Sequence, residues 1–526
     1  MNALPPSPAN APAQRRLLLG STAASLLVAA LLLATWPGLP MVWDEGNAIL
    51  RAERIGRGEW LYTNQVEGHP ALYGMVIFAG HRLAEGWLPP LTAWRFGPVL
   101  LFALAAGAMF YRVEREWSLR AAVGAVAAMV LLPRLFAHAH FASFDGPLLS
   151  CWVLAWAAFA WARRSWWGTL AWGVALGMTL SCKATGWIAP LPFLAWAAIH
   201  RDRPAAAALA LGVPVALFTF FLLNPPLWTD PIQGTAAFFQ LNFTRAANPG
   251  LNISTSFLGE MYNLDHPLPW YNTLWWTAIT VPSGILLLAI LGVGVACRRR
   301  RSQPAGTLLV LNWAVLLVVR ALPGVPPHDG VRLFLPAFAF LAVLAGVGCD
   351  AALAWAGRRW PGSLGPRVAA GAGVVLLYAT GAAGLVMYHP QWLSYYNGLV
   401  GGLPGATALG MEPTYYWDGL DGSVLDWLHQ NTGEDEGIRF GTGSPENRYL
   451  MRRWEILNRE TAGPLAPGRF RWYVFQRRPS GYLPADEWLI EHAEPAFRKT
   501  LLGVPLVEVY AESDYQRARA AVGDTW

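Results

Sequence analysis

Residues 15–45 read RRLLLGSTAASLLVAALLLATWPGLPMVWDE. Two arginines precede an apolar run that ends at Trp36, and after a short Pro/Gly link come two adjacent carboxylates, Asp44 and Glu45. A helix needs about 20 apolar residues to cross a bilayer, and this run has that length. A cleaved signal peptide would be shorter and would end in small residues, so the run reads as a retained first span. The residues before it are rich in Pro, Ala and Asn, and 1–16 reads as a disordered cytoplasmic terminus.

The pattern then repeats. Apolar runs recur at 17–36, 92–111, 120–139, 146–162, 166–182, 184–199, 204–223, 274–296, 305–322, 332–355 and 368–388. Composition agrees, with 54% hydrophobic and only 14% charged residues, where a soluble chain carries about 25% charge. The 28 tryptophans suit membrane–water interfaces. The expected fold is an all-α polytopic membrane protein of about eleven transmembrane helices, 17–388, followed by a small soluble α/β domain, 389–526. In that last part charge returns, alternating runs such as 471–476 and 505–510 read as strands, and 421–430 and 484–493 read as helices.

Basic clusters set the orientation. Arg15/Arg16, Arg112/Arg115/Arg120, Arg163/Arg164, Arg201/Arg203, Arg298 to Arg301 and Arg358/Arg359/Arg367 all fall on one side of the eleven runs, which must be cytoplasmic. The loops 37–91 and 224–273 and the C-terminal domain then face outward. Segment 69–88 reads as an interfacial helix, because counting it as a span would invert every later loop. The chain is thus expected in the cell (inner) membrane, multi-pass, with a cytoplasmic N-terminus. The modest net charge of +6, placed as topology signals, excludes a nucleic-acid footprint. The four cysteines lie in or beside apolar runs without a CxxC pair, so neither a zinc site nor a disulfide framework is indicated.

Polar residues worth attention lie on the outward loops. Asp44 and Glu45 either sit in a solvated loop or supply a general base that deprotonates a hydroxyl. His69, in Gly68-His69-Pro70, anchors an interface or donates to a phosphate. Asp145, at the end of His138-Ala-His140-Phe-Ala-Ser143-Phe-Asp145, lies near the hydrocarbon boundary, where an ionisable group is a functional candidate. His138 and His140 point to different faces of a helix, which argues against a metal site. Lys183, one of two lysines against 37 arginines, stands on the outward side as a point charge suited to phosphate, or else it snorkels. Arg332, in Pro327-His328-Asp329-Gly330-Val331-Arg332, either holds a phosphate or pairs with Asp329. No Walker loop, GxGxxG, GxSxG or HExxH motif occurs.

In their order along the chain these features resemble the GT-C superfamily of polyprenyl-phosphate-sugar glycosyltransferases. The similarity is greatest to dolichyl-phosphate-mannose–protein mannosyltransferases and the aminoarabinose transferases. It rests on Trp43-Asp44-Glu45, His69-Pro70, Asp145-Gly146-Pro147, Lys183, Pro267-Leu-Pro-Trp270-Tyr271, His328-Asp-Gly-Val-Arg332 with Pro336, and Tyr396-Asn397 with Gly401-Gly402. It runs to about residue 417.

The resemblance implies transfer of a sugar, with inversion, from a polyprenyl-phosphate donor to a protein hydroxyl, lipid A or another glycolipid on the extracytoplasmic face. Asp44 would be the catalytic base, with Glu45 beside it, and Asp145 would support the acceptor or sugar site. Lys183, Arg332 and His69 would hold the donor phosphate, although relatives carry a lysine or another polar group where His69 stands. His328, Asp329 and His140 are the candidate substrate contacts. No metal site is expected and no cofactor is certain, with a divalent cation left open. A transporter or flippase is the alternative, but such proteins place charges near the midplane of repeated halves, and no repeat is visible here.

Overall fold

The computed structural model describes residues 11–60, 68–244, 252–414, 416–441, 443–457 and 470–523. Among them, five helices are long and apolar enough to cross a membrane: Pro12–Ala34, Pro90–Glu116, Arg203–Leu222, Pro336–Arg359 and Leu364–Met387. A sixth counts if the bent pair Leu119–Leu131 and Pro133–His140 is one span. Every apolar run read from the sequence contains helix, but prolines cut several of the runs. Pro133 lacks an N–H and forces Leu132 into an extended conformation, and the helix axes on either side meet at 75°. Pro282 divides run 274–296 into Asn272–Thr280 and Ser283–Arg298. Run 184–199 becomes a 3-10 turn, Ala184–Ile188, and the 11-residue helix Pro190–His200. That helix is about 17 Å long, short of the roughly 30 Å a span requires.

Of the terminus expected to be disordered, 1–10 lies outside the described residues, and 11–16 already belongs to the first helix. Extension of the apolar run by helix-forming Ala and Gln explains the difference.

Helix Pro336–Arg359 is the axis of the membrane part. Every residue from Pro336 to Cys349 is buried, against helices Leu119–Leu131 and Ser283–Arg298 among others. The segment 69–88 forms helix Leu72–Ala84, docked on Pro90–Glu116 through Gly80 and Gly97. A Cβ on Gly80 would meet the Gly97 backbone at 2.1 Å, so only glycine allows this approach. Strands β1 (Thr255–Phe257) and β2 (Glu260–Tyr262) form a small hairpin.

The C-terminal region carries a four-stranded sheet ordered β3-β4-β6-β5, from β3 (Ile438–Phe440), β4 (Trp472–Gln476), β5 (Phe497–Leu501) and β6 (Val504–Ala511). β3 runs parallel to β4, and the other pairs are antiparallel. The helices read at 421–430 and 484–493 stand at Gly422–Asn431 and Pro484–His492. The sheet is tied to the membrane part by Asn447. Its Nδ2 donates to Val42 O at 2.8 Å, and its Oδ1 accepts from Gly46 N at 2.7 Å. A Cβ on Gly46 would lie 2.5 Å from Asn447, so glycine is required there.

Candidate active site

Four chain segments begin helices at one point. Asp44 is the N-cap of helix Glu45–Gly56, and Asp145 is the first residue of helix Asp145–Ala162. Lys183 caps the 3-10 turn Ala184–Ile188, and Asp329 caps the turn Gly330–Phe334 that holds Arg332. Helix N-termini carry partial positive charge, so they suit carboxylates and phosphates alike.

Arg332 is the hub. Its Nη2 pairs with Asp44 Oδ2, its Nη1 with Asp329 Oδ2, and its Nε donates to Asp145 Oδ2 at 2.9 Å. Lys183 Nζ donates to the other oxygen of Asp145 at 2.8 Å. The Lys183 ammonium and the Arg332 guanidinium both lie over the ring of Phe144, at 4.5 and 5.3 Å. His69 packs on the same ring with centroids 4.7 Å apart, so it reaches the cluster through an aromatic contact.

The C-terminal region completes the cluster. Tyr416 donates its hydroxyl to Asp44 Oδ2 at 2.7 Å, and its ring lies 4.0 Å from the Arg332 guanidinium. Its carbonyl accepts from Trp43 N at 3.1 Å. Tyr416 and Trp417 both adopt φ of 62°. Left-handed backbone at bulky residues costs on the order of 1–3 kcal/mol each, and here it delivers the phenol to Asp44. Burial pushes the Tyr416 hydroxyl well above its ordinary range, with Arg332 opposing and Asp44 and Asp145 adding to the rise, so it stays a donor. Arg478 pairs with Asp329 Oδ1 at 3.2 Å and with Glu412 at 2.8 Å. Burial opposes ionisation of Asp329, but Arg332 and Arg478 overcome it and hold that carboxyl far below its usual range. Glu412 is raised by burial against the pull of Arg478.

Exposure separates the members. The Asp44 side chain is 22% exposed, against 1% for Asp145, 8% for Asp329, 6% for Arg332 and 9% for Lys183. Both partners of Asp44 take Oδ2, and among the described residues no hydrogen bond reaches Oδ1. Asp44 therefore presents one oriented, approachable carboxylate oxygen beside buried cations.

Two residues singled out from the sequence lie elsewhere. Glu45 is fully buried and turned away from the cluster. Arg95 grips it through Nε at 2.8 Å and Nη2 at 2.7 Å, and the backbone N–H groups of Ala142 and Val42 add bonds at 2.8 and 3.1 Å. Its neighbour in sequence points elsewhere because successive helical side chains diverge by about 100°. His140 likewise serves the fold. Its Nδ1 meets Phe136 O at 2.8 Å, and its Nε2 meets Thr35 Oγ1 at 2.9 Å and Leu32 O at 3.2 Å. His328 sits half-buried next to Asp329. Among the described residues no three His, Cys, Asp or Glu side chains group as a metal site.

Sequence reading missed Tyr416, Glu412, Arg478 and Asn447, all supplied by the C-terminal region without a local motif. Arg95 did leave a signal: it is an arginine inside an apolar run, away from the basic clusters that set the orientation.

Residues 88–222 match the family model described as dolichyl-phosphate-mannose-protein mannosyltransferase, a stretch that includes Asp145 and Lys183. Among solved structures, the chain resembles apo ArnT from Cupriavidus metallidurans, with TM-score 0.52 and 15% identity, covering 95% of this chain and 99% of that one. It also resembles the oligosaccharyltransferase AglB from Archaeoglobus fulgidus, in complex with an inhibitory peptide and a dolichol-phosphate, with TM-score 0.51 and 11% identity, covering 88% of this chain and 70% of that one. No curated protein sequence matches. At these identities the likeness establishes the fold alone, which this chain shares with ArnT and AglB.

Proposed function

We propose that the chain is a polyprenyl-phosphate-dependent membrane glycosyltransferase in which Asp44 is the general base. The observation that carries this reading is the state of the Asp44 carboxylate. Oδ2 is fixed by Arg332 and Tyr416, among the described residues no hydrogen bond reaches Oδ1, and the side chain is 22% exposed where the rest of the charge cluster is buried. The family match over 88–222 and a fold shared with a protein that binds dolichol-phosphate support the carrier class.

An acceptor hydroxyl gives its proton to Asp44 Oδ1 as its oxygen bonds to the anomeric carbon. The bond from that carbon to the phosphate oxygen breaks on the opposite face, and the electron pair leaves with the phosphate. Configuration inverts. Lys183 has used one of its three N–H donors on Asp145, and the others meet the leaving phosphate, aided by the helix N-terminus at Asp145. Arg332, with a donor committed to each of three carboxylates, mainly holds the site together. Glu45 and His140 position the backbone around it, and His69 supports Phe144.

In the membrane, the arginine clusters argue for eleven crossings, counting the broken helices. The N-terminus is then cytoplasmic, and 389–526 forms a domain on the extracytoplasmic side of the cell (inner) membrane. The acceptor is a hydroxyl of a protein, lipid A or another glycolipid. A carrier of lipid-linked substrate would need no base with an open oxygen. The test is to reconstitute the purified chain with a radiolabelled polyprenyl-phosphate sugar and an acceptor membrane extract. Release of free polyprenyl phosphate with label in the acceptor is expected. Movement of intact donor across the bilayer without cleavage would refute the enzyme reading.

A further inference from the structure

Helix Asp145–Ala162 starts in the Arg332 cluster and ends, after 18 residues, at a rim that the proposed chemistry does not use. Arg163 and Arg164 follow it there, beside Arg112 and Arg115 in the last turns of helix Pro90–Glu116. The two helices pack on one another, and the charges of Arg115, Arg163 and Arg164 all act on Arg112.

The protein itself matches these four arginines poorly. Asp202 answers Arg163, accepting from its Nε at 3.3 Å and pairing with its Nη2, and that guanidinium lies 4.6 Å over Trp196. Glu114 is taken by Arg16 at 3.0 Å. Among the described residues, Arg115 donates only to the Tyr111 hydroxyl, at 3.2 Å. Arg164 is exposed, and no hydrogen bond or ion pair reaches it among the described residues. Arg112 is 5% exposed, so only a fraction of it reaches the surface. Its guanidinium lies 5.6 Å over the Trp156 ring and its Nη1 is 3.6 Å from Glu116 Oε1, but neither Nη1 nor Nε makes a hydrogen bond among the described residues. The rule that places arginines on one side of a membrane accounts for those that reach water. It does not account for a buried guanidinium without hydrogen bonds, which is costly unless an anion compensates it.

The turn beside these arginines is tightly built and aromatic. Arg164 N and Ser165 N both donate to Trp161 O, at 2.9 and 3.2 Å, and a Cβ on Gly168 would lie 2.4 Å from that carbonyl oxygen. Trp161, Trp166 and Trp167 are each at least half exposed, and indoles so placed sit at the headgroup level of a bilayer. Helix Trp166–Leu180 starts on this turn, and its N-terminus favours an anion.

We propose that Arg112, Arg164 and the N-terminus of helix Trp166–Leu180 hold the phosphodiester of an anionic phospholipid, with Trp161 and Trp166 at the boundary between its headgroup and its chains. The phosphate supplies the counter-charge that the protein withholds from Arg112 and Arg164. A free anion would meet the same charges but would leave the indoles without an apolar partner. The occupant fixes the far end of the helix that carries Asp145. Binding at this rim is read without turnover, so it stands or falls separately from the transferase reading.

The purified full chain in uncharged detergent is titrated with phosphatidylglycerol, phosphatidylcholine or inorganic phosphate. Binding is read by native mass spectrometry and by the thermal midpoint, which a ligand of the folded state raises. Wild type is expected to bind phosphatidylglycerol at least tenfold more tightly than phosphatidylcholine. Arg164→Glu, at an exposed position, and Arg112→Leu should each abolish that preference, whereas Arg300→Glu, on another arginine-rich loop, should leave it within twofold. If Arg112→Leu does not fold, Arg164→Glu decides alone. An Arg164→Glu chain that keeps the preference overturns the site, and so does an equal loss in Arg300→Glu, which would reduce the effect to general attraction. Displacement of the lipid by millimolar inorganic phosphate would reveal a free-anion site and overturn the lipid assignment.

Discussion

Removing the Glu45–Arg95 pair separates two adjacent carboxylates that sequence alone treats alike. Arg95→Met leaves Glu45, fully buried, with only the N–H groups of Val42 and Ala142. Breaking a buried ion pair by deleting one partner costs about 3–5 kcal/mol. Two backbone donors remain, so the loss should lie near 3 kcal/mol. Glu45→Gln keeps the shape and part of the hydrogen bonding and should cost less. In the double variant the stranded charge is gone, so the two losses should fail to add by about 0.5–3 kcal/mol, the range for residues in contact. Thermal inactivation midpoints of the purified protein read the stability. Turnover below the midpoint reads the chemistry, and for Glu45→Gln it should stay within about fivefold of wild type. A Glu45→Gln protein as stable as wild type but without turnover would refute the separation and make Glu45 a reacting group.

Tyr416→Phe removes the hydroxyl donated to Asp44. A hydrogen bond to a charged group is worth about 1.5–3 kcal/mol, so turnover should fall roughly tenfold to a hundredfold and the acid limb of the pH–rate profile should move up. An unshifted profile would leave Tyr416 a purely structural role. Lys183→Met should lower kcat with little change in acceptor KM, and weaker binding of acceptor alone would contradict its place at the phosphate. With Lys183 and Arg332 supplying the positive charge, EDTA should leave turnover within twofold; a loss that Mg²⁺ restores would put a divalent ion in the step. In the C-terminal region, burial raises Asp486 from 3.8 to about 6, against its bonds from Leu483 N and the Tyr473 hydroxyl. The folded state therefore binds the proton more tightly. Its contribution to stability is complete below pH 3.8 and is lost as pH rises through about 6, a change on the order of 3 kcal/mol. Hydrogen exchange of strand β4 between pH 4 and 7 should show that slope, and Asp486→Asn should flatten it.

The apolar helices were legible because each run carries its own composition signal, although prolines cut several runs into helices too short to cross alone. Asp44, Asp145, Lys183 and Arg332 stood out for the same local reason: each is a polar group at the end of an apolar run, where its cost demands a purpose. Which atoms they share was not legible. Arg332 reaches Asp44 across 288 positions and Asp145 across 187, and no periodicity reports such contacts. Tyr416 was hidden for a further reason, since a left-handed backbone at a tyrosine is set by its tertiary partners and has no propensity signature. That Glu45 and His140 bond outside the Arg332 cluster was not legible either, because adjacency in sequence does not fix adjacency in space. Prolines at 133, 190 and 282 were present in the runs, and their effect on helix continuity followed from the missing N–H alone.

The most direct measurement compares Asp44→Asn with wild type for binding of the polyprenyl-phosphate sugar and for its turnover. Loss of a positioned base costs about 10²–10⁴-fold in rate, so turnover should drop by that factor while donor binding stays within threefold. An Asp44→Asn enzyme that transfers sugar at wild-type rates would contradict the account.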